Sequence, residues 1–229
     1  MKKRRLKKEV LLVIAVLISV IAIAVVMLVY KNNTAFNYTD CLNENVLTIN
    51  DTNINLKELS YYIIKLERDV NERALLYNSD SPTSYWNMYM NDVNDSGYVS
   101  ELALKAAVDY CVRDNVYCME AAEAGYELDM AIKNEVAYTA EDFYNHMTKR
   151  EKEVTGLTKE DLEIIIYKET LSYNYMAYLV SNDSDDILSA IVLKYDVGGT
   201  YYEFVKGKYI IERNNDILSM VKMGYITIN

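Results

Sequence analysis

Residues 46–59 read VLTINDTNINLKEL and combine a hairpin pattern with the start of a helix. Residues 46–50 are rich in β-branched and apolar side chains, which predicts a short strand. Residues 51–53 supply turn-forming Asp, Thr and Asn before an extended piece resumes. Asn55 stands three residues before Glu58, which is the spacing of a capping box at a helix N-terminus. The stretch therefore predicts a β-hairpin that leads directly into a helix.

Four amphipathic helices are predicted from this point onward. Apolar residues recur at spacings of three and four, which places them on one face of each helix. Ser100, Asp129 and Thr158 are predicted N-caps of the second, third and fourth helices, and Gly125 is a predicted end of the second. The four stripes consist of Leu59, Tyr62, Ile63, Leu66, Val70, Ala74 and Tyr77; Leu104, Val108, Cys111, Cys118, Met119 and Ala122; Ile132, Val136, Ala140, Phe143 and Met147; and Leu162, Ile165, Ile166, Tyr173, Met176, Ala177 and Val180.

The C-terminal segment, residues 181–229, has a weaker pattern. Residues 187–195 fit a helix or a strand, whereas residues 201–220 favour a helix. Residues 225–228 alternate weakly and predict a terminal strand. We expect this segment to provide a helix and a strand that pack back on a helical module at residues 46–180. The predicted fold class is mostly α, with a small β element from the N-terminal hairpin and the C-terminal strand.

The N-terminus carries a basic segment followed by an apolar run. Six of the residues in 1–9 are Lys or Arg, and residues 10–30 contain no charged side chain. As an α-helix this run spans about 31 Å, close to the ~30 Å hydrocarbon core of a bilayer. The Lys/Arg excess predicts a cytoplasmic N-terminus, a single transmembrane helix and, after a linker at residues 31–45, an extracytoplasmic domain. Residues 22–24 also resemble a signal-peptide cleavage site, but cleavage there leaves an apolar new N-terminus, so we favour an uncleaved anchor.

Charge and composition exclude several function classes. The chain has 24 basic and 34 acidic residues, and residues 1–9 hold six of the basic ones and one of the acidic ones. The remainder therefore carries a net charge of −15, which argues against binding to nucleic acid or anionic lipid. With one histidine, His146, and no CxxC, HxxxH, GxGxxG, GxxxxGK[ST] or GxSxG pattern, we expect no metal, no cofactor and no catalytic residues.

The three cysteines do not form a disulfide framework. Cys111 and Cys118 lie seven residues apart on one predicted helix, about 10.5 Å along its axis, which is too far for a bridge. Cys41 could pair with either of them. We favour free, buried thiols over such a pair.

Tyrosine and methionine are unusually frequent. The chain has 22 Tyr and 10 Met against 3 Phe. Tyrosine combines an apolar ring with a polar tip and methionine adapts its shape, so both suit surfaces that hold varied apolar peptides. Most of these residues also fit an ordinary core, but the cluster at residues 85–90 falls between two helices. The predicted peptide-binding surface consists of Tyr62, Tyr85, Trp86, Met88, Tyr89, Met90, Phe143 and Met147.

The order of these elements is similar to that of a known family. Residues 46–59 resemble the V-x-V-N-G-x-x-I-x-x-x-E-L opening of the SurA and PrsA foldases, with Asp51 where those chains usually have glycine. Residues 121–128, AAEAGYEL, resemble the family's A-x-x-x-G-I-x-L element, and residues 156–162, GLTKEDL, resemble the start of its next helix. The resemblance covers residues 46–180 and implies a helical chaperone module like the SurA N-terminal domain and trigger factor.

Members of this family fold or escort proteins outside the cytoplasmic membrane, and many carry a parvulin prolyl-isomerase domain. Here 49 residues follow Val180, and they contain no histidine, whereas parvulin sites use histidines. The resemblance therefore implies a membrane-anchored chaperone-like protein that binds unfolded or newly exported polypeptides without prolyl-isomerase catalysis. Two alternatives remain: a dedicated interaction module for one envelope partner, and a peptidyl-prolyl isomerase. The sequence predicts no oligomeric state.

Overall fold

The fold consists mainly of helices and includes two small antiparallel sheets. A computed structural model describes residues 36–91, 95–181 and 191–227, and the elements named here belong to the unit Tyr38–Asn229. The helices are α1 (Leu56–Tyr77), α2 (Val99–Glu123), α3 (Met130–His146), α4 (Lys149–Thr155), α5 (Lys159–Ser181), α6 (Thr200–Lys206) and α7 (Asn215–Leu218). The strands are β1 (Asn45–Ile49), β2 (Thr52–Asn55), β3 (Tyr89–Asn91), β4 (Ser96–Tyr98) and β5 (Ile211–Arg213). Short 3₁₀ helices cover Tyr38–Cys41 and Pro82–Asn87.

The predicted hairpin forms as β1 and β2, which pair antiparallel with Ile49 opposite Thr52. Asn50 closes the turn with a positive φ of 49°, a conformation that asparagine adopts more readily than most residues. Strand β5 pairs antiparallel with the other side of β1 and places Ile211 opposite Ile49, so the strand order is β2-β1-β5. A segment from the C-terminal part of the chain therefore extends the sheet that begins at the hairpin.

Three predicted helix N-termini are confirmed by their capping bonds, and one of them is that of α5, where the Thr158 hydroxyl accepts the Asp161 N–H at 3.2 Å. The side chain of Asn55 accepts the Glu58 N–H at 2.9 Å and caps α1. The side chain of Asp129 accepts the Ile132 N–H at 2.8 Å and caps α3. Each bond satisfies one backbone donor that the first helical turn would otherwise leave unpaired.

Two boundaries differ from the prediction. Helix α2 begins at Val99, immediately after Tyr98, so Ser100 lies inside the helix and does not cap it. The Glu101 carboxylate accepts the Tyr98 N–H at 3.2 Å at this helix start. Residues that follow the predicted third helix form a separate helix, α4, which Thr148 caps. Gly156 ends α4 in the left-handed conformation, with φ of 58°, and this break sets the direction of α5.

The apolar stripes of α1, α2 and α5 meet in the core, and α3 packs mainly against α5. One part of this core is built from tyrosine. Tyr117 packs against Tyr175 and Tyr202, with ring centroids 6.3 and 6.0 Å apart, and its hydroxyl donates to the Tyr195 carbonyl at 2.6 Å. Part of the tyrosine excess therefore belongs to the interior.

The C-terminal segment differs most from its prediction. The helix expected over residues 201–220 is confirmed only at its start, since α6 ends at Lys206 and is followed by β5 and α7. Asn50 explains this change, because its N–H donates to the Ile210 carbonyl and its side chain accepts the Ile210 N–H, both at 2.8 Å. These bonds hold the segment against the hairpin as a strand. The strand expected at residues 225–228 is wrong, because the described part of it forms turns.

Two further expectations lie partly or wholly outside the described residues. The expected membrane span at residues 10–30 lies outside them entirely. Within the ranges given above, no helix has both the length and the apolar character needed to cross a membrane. Of residues 187–195, the pattern of which allowed a helix or a strand, Ile191–Tyr195 form a π-helical turn and the rest are not described.

The three cysteines are free, so Cys41 forms neither of the two pairs that the sequence left open. Cys111 is buried on α2, whereas Cys41 and Cys118 are half-buried. The Cys118 thiol donates to the Lys168 carbonyl at 3.4 Å. The α2 cysteines therefore behave as packing residues between α2 and its neighbours.

Candidate functional site

A cavity of about 760 Å³ lies between the N-terminal half of α2, the 3₁₀ helix Pro82–Asn87 and the segment that follows β5. We call it the groove. Its apolar lining consists of Trp86, Leu104, Val108, Leu218, Val221 and Met223. Its polar rim consists of Asn87, Ser100, Glu101, Lys105, Arg213, Asn215, Ser219 and Lys222. Binding sites are typically concave and combine apolar side chains with polar groups, as this cavity does with six apolar and eight polar residues.

One wall of the groove is formed by α2 and by the chain's single tryptophan. Leu104 and Val108 stand four residues apart on α2 and therefore face the same side. Pro82 begins the 3₁₀ helix that carries Trp86, the side chain of which is 5% exposed. The Trp86 indole N–H donates to Asn71 Oδ1 at 3.0 Å. This bond fixes the indole against α1, so Trp86 is a positioned part of the wall.

The opposite wall is the segment at residues 213–223, which is anchored where it begins. Strand β5 pairs with β1, and the Asn214 N–H donates to the Val46 carbonyl at 2.9 Å. The Asn214 side chain also accepts the Ile217 N–H at 3.4 Å and caps α7, the short helix that brings Leu218 to the groove. The sheet therefore positions the wall.

A buried carboxylate on α1 anchors the chain just beyond the end of this wall. Glu67 is 0% exposed and accepts the N–H groups of Gly224, Ile226 and Thr227 at 2.7, 3.4 and 2.7 Å, together with the Thr227 hydroxyl at 2.7 Å. Burial raises the pKa of Glu67, and the hydrogen bonds from Thr227, Ile226 and Gly224 act in the opposite direction. We call Glu67 and residues 224–227 the C-terminal clasp.

Asn71 connects the clasp to the groove. Its Nδ2 donates to Thr227 Oγ1 at 2.8 Å, and its Oδ1 is the acceptor of the Trp86 indole. A continuous series of hydrogen bonds therefore runs from Glu67 through Thr227 and Asn71 to Trp86. The orientation of Trp86 consequently depends on how the C-terminal segment is held.

The predicted cluster at residues 85–90 lies at and beside the groove. Trp86 lines it, whereas Met88 is half-buried and the Tyr85 ring packs against Tyr77 with centroids 5.5 Å apart. Tyr89 and Met90 on β3 are 58% and 39% exposed. Tyr89 and Met90 follow the groove residue Asn87 by two and three positions, and as neighbours in a strand they project to opposite faces.

Three other predicted residues lie in or against the protein interior, and we exclude them from the candidate site. Tyr62 is 2% exposed and its hydroxyl donates to Asp114 at 3.1 Å, and burial raises its pKa well above the usual value. Met147 is 4% exposed. Phe143 is half-buried and packs on Tyr61 with ring centroids 5.1 Å apart. These three side chains stabilise helix packing.

Sequence reasoning did not identify most of the groove. Leu104 and Val108 belong to the predicted apolar stripe of α2, but periodicity cannot tell a covered stripe from an open one. Leu218 and Val221 lie in the segment whose secondary structure the pattern mispredicts. Glu67 has the pattern of an ordinary helix carboxylate. No local signal marks these residues, because contacts across the fold bring them together.

A cluster of buried charges lies elsewhere, between α2 and the turn before α6. The Arg113 guanidinium donates to Asp114 and to Asp196, each at 2.8 Å. Paired in this way, the charges hold the turn against α2. Across the described residues, no group of three His, Cys, Asp or Glu side chains could hold a metal ion. His146 is exposed at the end of α3.

Comparisons with known proteins identify no relative of the chain. No family model matches it, and no curated protein or solved structure matches it at a significant level. The groove, the charges around it and the sequence are therefore the observations that bear on its function.

Proposed function

We propose that the chain is a membrane-anchored, extracytoplasmic, chaperone-like protein that binds apolar segments of unfolded or newly exported polypeptides. The observation that carries this proposal is the groove, in which Trp86 and Met223 face an open volume of about 760 Å³. The bound segment would be released unchanged, since the proposed role requires no reaction. The groove and the exposed Tyr89 and Met90 beside it form the proposed binding surface.

The chemistry of the lining suits this occupant. Burying a Val, Leu or Met side chain of a client contributes about 1.5–3 kcal/mol, so a few such contacts give weak and reversible binding. Trp86 and Met223 are 5% and 8% exposed and offer narrow apolar edges, the first fixed by its bond to Asn71 and the second able to adapt its shape. Leu104 is half-buried and offers a larger contact. A site of this kind accepts varied apolar sequences.

The sequence supports the location and the role. The resemblance of residues 46–180 to SurA and PrsA foldases points to a helical module that escorts exported chains. The apolar run at residues 10–30 would keep a weak binder at the membrane where such chains emerge, and this raises its effective concentration. The resemblance and the apolar run therefore support a tethered helical module.

The test is suppression of client aggregation by the full-length chain in lipid nanodiscs, followed by light scattering with a chemically unfolded client. Leu104→Glu places a carboxylate on the groove wall at a helical position that glutamate tolerates. We expect it to weaken client binding by about tenfold or more, because it removes an apolar contact of about 1.5–3 kcal/mol. The matched control is Ile164→Glu, at an exposed position of α5 outside the groove, which should leave suppression unchanged.

Equal suppression by the wild type and the Leu104 variant would place client binding elsewhere and overturn the assignment of the groove. Absence of both suppression and peptide binding in the wild type would remove the chaperone role. One stoichiometric envelope partner would then support the dedicated interaction module. Faster cis/trans exchange in a proline peptide would support the isomerase alternative.

A further inference from the structure

The rim of the groove carries more positive than negative side chains. Lys105, Arg213 and Lys222 contribute to it, against the single carboxylate of Glu101. Residues 10–229 as a whole hold 18 basic and 33 acidic side chains. Two of the rim cations are paired with carboxylates outside the lining, so within the described residues the unpaired positive charge at the groove is that of Lys222.

Glu101 keeps its negative charge but is fixed in position by a backbone donor. Its Oε2 accepts the Tyr98 N–H at 3.2 Å and completes the N-terminus of α2. Of the three cations, Lys105 pairs with Asp95, and Arg213 donates from Nη2 to Asp109 at 2.9 Å. The other guanidinium N–H groups of Arg213 remain available to a ligand.

Lys222 differs from the other two cations. It is exposed, and the part of the chain that the structure describes contains no ion pair to it. Its neighbours in sequence, Val221 and Met223, both line the apolar wall. An apolar side chain that enters between the walls would therefore bring the next residues of the same polypeptide close to the Lys222 ammonium.

We propose that the groove prefers extended polypeptide segments in which an acidic residue lies directly beside a short apolar run. The apolar side chains would occupy the lining, and the carboxylate would bind Lys222, with Arg213 as a second donor. This inference rests on the proposed function and specifies the class of segment that the groove selects. Segments flanked by basic residues have no carboxylate to offer Lys222 and are repelled by its ammonium.

The experiment uses the full-length chain in nanodiscs of zwitterionic lipid and peptides with blocked ends. The peptides share one apolar core and differ only in their flanks, which are Asp, Asn or Lys, and affinity is measured by fluorescence anisotropy. We expect the Asp peptide to bind tightest and the Lys peptide weakest, with a difference that shrinks as salt is added. An exposed charge pair contributes about 0.2–1 kcal/mol, so Lys222→Gln should reduce the Asp-over-Asn preference by a factor between about 1.4 and 5.

Lys149→Gln is the matched control, since Lys149 is a highly exposed lysine of α4 outside the groove lining and the change in charge is the same. It should leave the preference unchanged. Equal binding of the three peptides, or an unchanged preference in Lys222→Gln, would overturn the charge selection while the proposed function stands. If none of the peptides binds, both fall. Self-association that Lys222→Gln abolishes would assign the groove to a second copy of the chain and also overturn the inference.

Discussion

Trp86 is the most informative single residue, because it lines the groove and is the only tryptophan of the chain. Asn71→Leu removes the acceptor of its indole N–H. A buried donor without a partner costs about 1–3 kcal/mol, so the indole should turn towards water. We expect a red-shifted Trp86 emission spectrum and stronger quenching by acrylamide.

Asn134→Leu provides the control for this measurement. Asn134 is an exposed residue of α3, and the same substitution there should leave the emission spectrum unchanged. An unchanged spectrum in Asn71→Leu as well would mean that the Asn71 bond does not set the orientation of Trp86. The clasp would then not be coupled to the groove through Asn71.

The cysteines give a second prediction about single residues. Burial raises the pKa of Cys118 to about 12, and its thiol already donates to the Lys168 carbonyl. With that pKa, about one thiol in ten thousand is ionised at pH 8, and the thiolate is the reactive form. We expect iodoacetamide at pH 8 to modify Cys41 well before Cys118, as followed by mass spectrometry. In urea all three cysteines should react at similar rates, whereas equal rates in the native protein would contradict the burial of Cys118.

Among the elements, the segment at residues 224–227, which directly follows the wall, is held by a distant partner, Glu67 on α1. Glu67→Gln turns one acceptor oxygen into an NH₂ group, which then faces either the N–H groups of Gly224 and Ile226 or the N–H and hydroxyl of Thr227. Unpaired buried donors should lower the free energy of unfolding by about 1–3 kcal/mol, measured by urea denaturation. Hydrogen exchange at residues 224–227 should become faster, because the clasp opens more often.

A second anchor limits the size of this effect. The Arg150 guanidinium donates twice to the Tyr225 carbonyl, at 2.8 and 3.1 Å, so the segment should loosen without leaving the body of the protein. Glu163→Gln, at an exposed carboxylate of α5, is the control and should change neither stability nor exchange. Unchanged protection of residues 224–227 in Glu67→Gln would show that Glu67 does not hold this segment.

For the molecule as a whole, the parts that could be predicted from the sequence are those with local causes. The hairpin and the start of α1 follow from turn residues and from the Asn55 cap, all within a few positions. The C-terminal segment could not be predicted, because its structure is set by Asn50 and Glu67, which lie far away in the sequence. Without these partners, the alternation at residues 225–228 resembles that of a strand.

In the candidate site, too, features with local causes could be predicted and features set by distant contacts could not. Composition alone identified the cluster that contains Trp86, since five aromatic or methionine side chains fall in a break between helices. Composition could not separate Trp86 from Tyr62, because both are aromatic and only the packing of α1 against α2 buries Tyr62 beside Asp114. A sequence pattern shows which face of a helix is apolar, whereas the tertiary fold decides whether that face is covered.

The proposed tether makes a prediction about the side of the membrane on which the domain lies. With the basic N-terminus in the cytoplasm, Cys41 should be extracytoplasmic, and a membrane-impermeant maleimide should label it in intact cells. Cys41→Ser should abolish this labelling, since Cys111 is buried and burial raises the pKa of Cys118 to about 12. Adding Leu6→Cys to that variant should restore labelling only after the membrane is disrupted. Labelling of the introduced cysteine in intact cells, or of Cys41 only after disruption, would reverse the topology and remove the basis for a role with exported chains.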